Sequence, residues 1–180
     1  MYIQKAVILD SAAVGRSLMR ISHEIIESAE GEKSVCIIGI RRRGVPLARR
    51  IAENIRNFSD IDVQVGELDI SLYRDDLSET GSQANLNGTD VGFPVEGKTV
   101  VLVDDVLYTG RTARAAIEAV IHMGRPSRLR LAVLVDRGHR ELPIRADYVG
   151  KNVPTSRREL IAVRVPEYDG CCEAAILEEK

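Results

Sequence analysis

The chain contains the stretch Val100-Val101-Leu102-Val103-Asp104-Asp105-Val106-Leu107-Tyr108-Thr109-Gly110-Arg111-Thr112, whose pattern is the strongest indication of fold class in the sequence. The segment 99–103 predicts a buried strand, and the apolar spacing from about residue 110 predicts a helix up to Met123. A strand that leads through a short turn into a helix is the repeating unit of parallel α/β sheets. Because such sheets bind ligands at the carboxyl ends of their strands, the turn is the first candidate for a functional site.

The turn after this strand has the features of an anion site. The amide groups of residues 108–112, the two threonine hydroxyls and the positive end of the following helix form a cradle suited to a phosphate monoester. Gly110 lets the backbone approach such a ligand closely. The adjacent carboxylates of Asp104 and Asp105 repel each other and need hydroxyl donors or a cation, which a ribose diol with Mg²⁺ supplies. The stretch therefore indicates a ribose phosphate ligand.

Two common nucleotide sites are excluded by their motifs. The sequence has no Gly-Lys-Ser/Thr of a Walker loop and no Gly-x-Gly-x-x-Gly turn of a dinucleotide site. An acidic helix cap in an ordinary α/β protein would account for the two aspartates, but not for the Thr-Gly-Arg-Thr order that follows them.

The rest of the chain alternates helices with strands. Apolar residues at helical spacing predict helices over residues 10–31 and from Pro46 onward. Apolar runs predict strands over residues 35–40, 63–70, 129–135, 146–149, 160–165 and 174–177. Residues 71–94 are polar and without periodicity, which predicts a mobile lid, with an irregular hairpin as the alternative. The fold class is thus α/β, with a mostly parallel sheet covered by helices on both faces.

Length and composition indicate one soluble domain. The chain has 180 residues, of which 44% are hydrophobic and 29% charged, so we expect a single domain over residues 1–180. The apolar runs are too short to span a bilayer and no signal-peptide pattern is present, so we expect a cytoplasmic protein without a membrane partner. The three cysteines cannot all pair, which favours a reducing compartment.

The net charge of −2 conceals a segregation of charge. Residues 106–158 contain 11 basic and four acidic side chains, and a second basic block follows the strand over residues 35–40 as Arg41-Arg42-Arg43. Such blocks predict surfaces that hold phosphates, although a solvated basic face is the alternative for each of them.

Residues 100–112 resemble the phosphoribosyl pyrophosphate (PRPP) signature of type I phosphoribosyltransferases. Ser71-Leu72-Tyr73-Arg74-Asp75-Asp76, Tyr108 and the segment 131–156 resemble one subgroup, the bacterial regulators of pyrimidine-operon attenuation, which are also uracil phosphoribosyltransferases. The likeness runs over almost the whole chain. It implies a Rossmann-like parallel sheet flanked by helices, a flexible lid loop and a small hood.

The resemblance implies transfer of phosphoribose from PRPP to uracil, giving UMP and pyrophosphate. Magnesium would be held mainly by PRPP, with Asp104 or Asp105 contributing through water. The residues implied as catalytic are Asp104, Asp105, Arg43, Tyr73 and Arg74. Those implied to bind substrate are Arg42, Arg43, Asp104, Asp105, Val106, Leu107, Tyr108, Thr109, Gly110, Arg111, Thr112 and Arg137. Purine enzymes of this family usually carry an acid where this chain has Tyr108, which favours a pyrimidine base.

A second activity is implied by the basic side chains that the transfer reaction does not need. Binding of pyrimidine-operon leader RNA, tuned by UMP, would use Arg16, Arg20, His23, His139, Arg140, Arg145 and Lys151. The family also suggests a homodimer or a higher homo-oligomer. Two alternatives stay open: a purine-salvage enzyme without RNA binding, and a catalytically weak RNA-binding regulator that uses the pocket as a nucleotide sensor.

Overall fold

The computed structural model describes residues 2–71 and 91–180, which form eight strands and four helices. In chain order these are β1 (Tyr2–Leu9), α1 (Ser11–Ser28), β2 (Ser34–Ile40), α2 (Gly44–Phe58), β3 (Asp62–Leu68), β4 (Thr99–Leu107), α3 (Arg111–Met123), β5 (Arg128–Asp136), β6 (Tyr148–Asn152), β7 (Glu159–Arg164), α4 (Pro166–Asp169) and β8 (Glu173–Glu179).

The main sheet has five strands in the order β3-β2-β4-β5-β6, and every neighbouring pair is parallel. Its central strands are buried on both faces, which explains why they read as continuous apolar runs. Helices α1 and α2 cover one face, and α3 covers the other. The predicted α/β fold with a mostly parallel sheet is confirmed.

A second, smaller sheet has the order β1-β8-β7 and is antiparallel. Strand β1 was not predicted, because residues 2–7 are exposed and pair with the far end of the chain, where Tyr2 lies opposite Glu179. The short helix α4 occupies part of the turn predicted between β7 and β8. We call β1, β7, β8 and α4 the hood, because they correspond to the predicted small hood.

The ends of several elements differ from their predicted bounds. Strand β4 continues to Leu107, past the two aspartates that we expected to follow it, because its pairing with β5 continues to that residue.

Cys36 is fully buried, as predicted, and all three cysteines are free. The predicted lid over residues 71–94 lies mostly outside the described residues. None of the helices in residues 2–71 and 91–180 has the length and apolar character of a transmembrane span.

Candidate active site

The acid pair, Asp104 and Asp105, lies near the carboxyl end of β4 with both side chains half-buried. Each carboxylate accepts the backbone N–H of the next residue, at 2.9 Å for Asp104 and 2.8 Å for Asp105. Burial raises the pKa of both carboxyls, and the charge of its neighbour raises the pKa of Asp104 further, well above its usual value. Hydroxyl donors or a cation would therefore stabilise the ionised acid pair better than water alone does.

The phosphate loop, residues 108–112, turns directly from β4 into α3. Gly110 has φ +93°, a conformation that favours glycine, and its backbone lies against Leu142 and Ile144. The N–H groups of Glu141 and Leu142 donate to the carbonyl of Thr109 and so fix the loop. A cavity of about 100 Å³ is lined by Asp104, Val106, Leu107, Tyr108, Thr109, Gly110, Thr112, Ala113, Leu131 and Val133. The structure thus brings the predicted phosphate cradle and one member of the acid pair into one cavity.

A larger cavity of about 410 Å³ lies at the carboxyl ends of β5 and β6. It is lined by Asp136, Arg137, Gly138, His139, Asn152, Val153, Pro154 and Thr155. Since β5 pairs with β4, this cavity adjoins the phosphate loop.

Tyr108 lines the smaller cavity and contacts two residues that line the larger one. Its ring stacks on the guanidinium of Arg137, 4.0 Å from ring centroid to Cζ, and meets the ring of His139 edge-on at 6.1 Å between centroids. Arg137 is only 3% exposed and donates to Thr155 Oγ1, to the carbonyl of Ser156 and to the carbonyl of Glu159. These bonds direct Arg137 into the wall of the cavity, so contact of its side chain with uracil stays a prediction.

Arg140, which we predicted as an RNA contact, forms internal hydrogen bonds. Its guanidinium donates to the carbonyls of Ile144 and Tyr108 and to the carboxylate of Asp136. These bonds tie the segment after β5 to the phosphate loop. His139 also has an internal partner, because its Nε2 lies 2.5 Å from the carbonyl of Thr155. Binding of RNA by these two side chains stays a prediction.

The arginine loop, residues 41–43, connects β2 to α2 beside the acid pair, and its Arg41–Arg42 peptide bond is cis. Gly44 allows the loop to pack closely against β4, because a Cβ at this position would overlap the carbonyl of Val103, the residue before the acid pair. The three arginines do not share one partner: Arg41 turns toward β3, whereas Arg42 and Arg43 turn toward the hood. Arg41 pairs with Glu67 of β3 at 3.2 Å and is turned away from the acid pair.

The other two arginines of this loop meet the hood. Arg42 lies over the ring of Tyr168, 5.7 Å from Cζ to the centroid, and among residues 2–71 and 91–180 it has no carboxylate partner. Arg43 forms a two-pronged ion pair with Asp169. Of the predicted pyrophosphate residues, Arg42 and Arg43 therefore lie near the site, while Tyr73 and Arg74 lie outside the described residues.

The side chains predicted to bind RNA form two groups at the edge strand β6. On the face covered by α1, Arg16, Arg20 and His23 line a shallow cavity of about 510 Å³, and Arg20 donates to the carbonyls of Val149 and Gly150. Lys151 of β6 donates to the carbonyl of Ile8 near the end of β1. The segment with His139, Arg140 and Arg145 packs toward the opposite face through Ile144 and Ala146.

Several residues of the site were missed by sequence reasoning. Tyr168 and Asp169 reach the arginine loop over more than 120 positions, and nothing in their local sequence signals that contact. Thr155 likewise enters the larger cavity only through the pairing of β6 with β5. Gly44 could have been found, since a glycine directly after an arginine run at a strand end signals close packing of backbones.

Comparison with known proteins identifies the family. A family model described as a phosphoribosyl transferase domain matches residues 6–167. The Bifunctional protein PyrR of Clostridium novyi is 58% identical to this chain, over 97% of this chain and 98% of its own length. The Bifunctional protein PyrR of Thermus aquaticus is 57% identical over 92% of each chain.

Solved structures agree in fold. A hypoxanthine phosphoribosyltransferase from Trypanosoma cruzi superimposes with a TM-score of 0.78 over 97% of this chain and 96% of that chain, at 18% identity. A hypoxanthine-guanine phosphoribosyltransferase from Bacillus anthracis gives a TM-score of 0.72 over 99% of this chain and 100% of that chain, also at 18% identity. On these grounds of sequence and fold, the chain belongs to the phosphoribosyltransferase family and, within it, to the group of bifunctional PyrR proteins.

Proposed function

We propose that this chain is a uracil phosphoribosyltransferase that also binds the leader RNA of pyrimidine biosynthesis genes and attenuates their transcription in response to UMP. One observation carries the enzymatic half: the acid pair and the phosphate loop meet at the end of β4, beside a cavity large enough for a base. Membership in the bifunctional PyrR group supports the combination of the two activities.

In the transfer reaction, N1 of uracil attacks the anomeric carbon of PRPP, and the bond from that carbon to pyrophosphate breaks. The configuration inverts, the N1 proton leaves, and UMP and pyrophosphate are the products. The phosphate loop would hold the 5′-phosphate, and Asp104 and Asp105 would accept the ribose hydroxyls. Arg42 and Arg43 would offset the negative charge that develops on pyrophosphate.

The donor set fits a magnesium ion that enters with PRPP. Within the described ranges, no group of three or more histidine, cysteine, aspartate or glutamate side chains could hold a metal by itself. The half-buried acid pair supplies carboxylate oxygens beside the phosphate loop, and Mg²⁺ prefers such ligands together with substrate phosphates. When bound, the ion would neutralise charge on the leaving group.

Tyr108 supports a pyrimidine as the base. Its ring, packed between Arg137 and His139, presents a phenol and no carboxylate beside the larger cavity. A purine imidazole nitrogen would therefore lack its usual acidic partner at position 108, whereas a single-ring base needs none there. Asp136, which lines the same cavity, is bound by Arg140. UMP would occupy both cavities, which makes the site a sensor of the product as well as its source.

The regulatory half rests on exposed basic groups. Arg16, His23 and Arg145 are exposed, and guanidinium and imidazole groups can neutralise phosphates or stack on unpaired RNA bases. A cytoplasmic location belongs to this proposal, because leader transcripts are made there. A homo-oligomer belongs to it as well, since apolar side chains are exposed on the hood at Tyr2 and Val7.

The enzymatic half is tested by incubating the purified protein with PRPP and magnesium, and with either uracil or hypoxanthine. We expect UMP from uracil and little IMP from hypoxanthine, both measured by chromatography. Product from hypoxanthine alone would replace the proposed activity by purine salvage.

The regulatory half is tested by gel shift with a pyrimidine-leader RNA hairpin, with and without UMP. We expect a shift at low salt whose midpoint moves to lower protein concentration when UMP is present. RNA binding without turnover of either base would indicate a nucleotide-sensing regulator. A gel-shift midpoint that does not change with UMP would contradict control of RNA binding by the nucleotide.

A further inference from the structure

Arg43 of the arginine loop is bound by the hood. Its Nε donates to Asp169 Oδ2 at 3.1 Å, and its Nη2 donates to Asp169 Oδ1 at 2.7 Å. The side chains are 36% and 19% exposed, so solvent only partly screens the pair. A two-pronged pair of this kind fixes the plane of the guanidinium as well as its position. The contact therefore sets where Arg43 stands relative to the acid pair.

The carboxylate of Asp169 is oriented by its own turn. Its Oδ2 accepts the N–H of Val165 at 2.9 Å, and its backbone N–H donates to the Val165 carbonyl at 2.8 Å. Val165 is fully buried, and Gly170 ends the turn with φ +70°. The turn is thus anchored in the core on one side, and it presents Asp169 to the arginine loop on the other.

Arg43 also experiences the charge of the acid pair. The hydrogen bond that Arg43 donates to Asp169 is the main cause that raises the pKa of Arg43, and the charges of Asp169 and Asp105 raise it further. The charge of Arg43 in turn favours the ionised form of Asp105. No lysine or arginine of residues 2–71 and 91–180 forms an ion pair with Asp104 or Asp105 within 4.0 Å. Asp105 is thus the other carboxylate whose charge acts on Arg43, so a guanidinium released from Asp169 would be attracted to the acid pair.

On this geometry, and resting on the proposed transferase function, we propose that Asp169 is a positioning residue for the transfer reaction. It keeps Arg43 away from Asp104 and Asp105, so that the acid pair stays open to the ribose hydroxyls and Arg43 stays available to pyrophosphate. The hood thereby acts on the leaving-group side of the reaction through Arg43, while the base binds in the larger cavity on the other side of the acid pair.

The test is a double-mutant cycle with Asp169→Asn and Arg43→Gln. Asparagine keeps the acceptor for Val165 and removes the charge. We expect Asp169→Asn to lower kcat/KM for PRPP by roughly 10- to 100-fold, the size of one charged hydrogen bond, with less than about a twofold change in KM for uracil. In the Arg43→Gln background, Asp169→Asn should add less than about twofold. An unchanged kcat/KM for PRPP, or a full loss in the Arg43→Gln background, would overturn the proposal.

Glu167→Gln is the matched control. Glu167 belongs to the same turn and pairs with Arg50 of α2 at 3.2 Å, and it forms no hydrogen bond or ion pair with residues 41–43. We expect Glu167→Gln to leave kcat/KM for PRPP within about twofold of wild type, which is the scale of an exposed pair. A loss equal to that of Asp169→Asn would assign the effect to the turn as a whole and overturn a specific role for Asp169.

Calorimetric titration with magnesium pyrophosphate separates this proposal from the proposed function, because it needs no turnover. We expect Asp169→Asn to weaken pyrophosphate binding by about tenfold or more. Tighter binding would mean that Asp169 competes with pyrophosphate for Arg43, and would overturn the proposal. If the wild-type protein makes no UMP, the proposed enzyme activity fails, while the titration still decides the role of Asp169.

Discussion

Asp104 is placed for ligand binding, but its surroundings disfavour the ionised carboxylate. Its carboxylate is placed where ribose hydroxyls or a cation would need it, yet burial and the charge of Asp105 hold its pKa well above the usual value. A carboxyl whose folded-state pKa is raised stabilises the fold less as pH rises through that pKa, because ionisation is then favoured more in the unfolded chain. In the substrate-free protein at neutral pH, Asp104 therefore makes the folded state less stable than a neutral side chain of the same shape would.

We accordingly predict that Asp104→Asn lowers the rate of UMP formation by roughly 100-fold or more, while its melting temperature at pH 7.5 equals or exceeds that of wild type. Asparagine Oδ1 can still accept the N–H of Asp105. Thermal denaturation and turnover measured on the same sample check both halves. A melting temperature below that of wild type would mean that the ionised carboxylate is stabilising in the substrate-free protein.

Tyr108 is the second residue at which stability and specificity meet. Its ring packs 4.0 Å from the Arg137 guanidinium, an arrangement worth about 0.5–2 kcal/mol. We predict that Tyr108→Ala lowers the free energy of unfolding by about that amount and raises KM for uracil. Tyr108→Phe keeps the ring and should retain both properties. Equal losses in the two variants would assign the effect to the phenol hydroxyl and not to the stacked ring.

At the scale of elements, the sequence was most informative where structure is set locally. The passage from β4 through the phosphate loop into α3 was predicted from neighbouring residues, because its strand is buried on both faces and its turn depends on one glycine. The contacts within the hood could not be predicted from neighbouring residues. Strand β1 is stabilised by β8 from the other end of the chain, and Asp169 meets Arg43 across 126 positions. Contacts of that separation leave no periodic signal.

An ion pair between β1 and β7 makes the stability of the hood depend on pH. Glu159 at the start of β7 accepts from Lys5 Nζ of β1 and from the N–H of Ser156, each at 2.6 Å. The hydrogen bond from Lys5 is the main cause that lowers the pKa of Glu159 from 4.5 to about 2. A depressed carboxyl pKa contributes stability that is complete above the unfolded value and is lost as pH falls through the folded value.

We therefore predict that Glu159→Gln melts at a lower temperature than wild type at pH 6, and that the difference closes between about pH 4.5 and pH 2. Circular dichroism melts across this range measure it. Arg20 and Glu24, an exposed pair within α1, supply the control: Glu24→Gln should show a small difference at every pH. A Glu159→Gln difference that persists unchanged at pH 2 would contradict the assignment of the shift to this carboxyl.

At the scale of the whole molecule, the main sheet separates the basic groups proposed to bind RNA. Arg16 and His23 lie with α1 on one face of the sheet, while Arg145 lies on the segment that packs toward the other face, where its charge acts on Asp136. One RNA that contacts both groups must pass around the edge strand β6. If RNA contacts one group only, the other serves a different purpose.

Salt dependence distinguishes these arrangements, because each phosphate contact that is lost reduces the slope of log K against log salt by about 0.7–0.9. We predict that Arg145→Gln and Arg16→Gln each reduce the slope by about that amount, and that the double variant reduces it by the sum. UMP formation should stay within about twofold of wild type in all three, since neither side chain lines the two cavities at the end of the sheet. If only one single variant changes the slope, RNA stays on one face of β6 and does not cross the edge of the sheet.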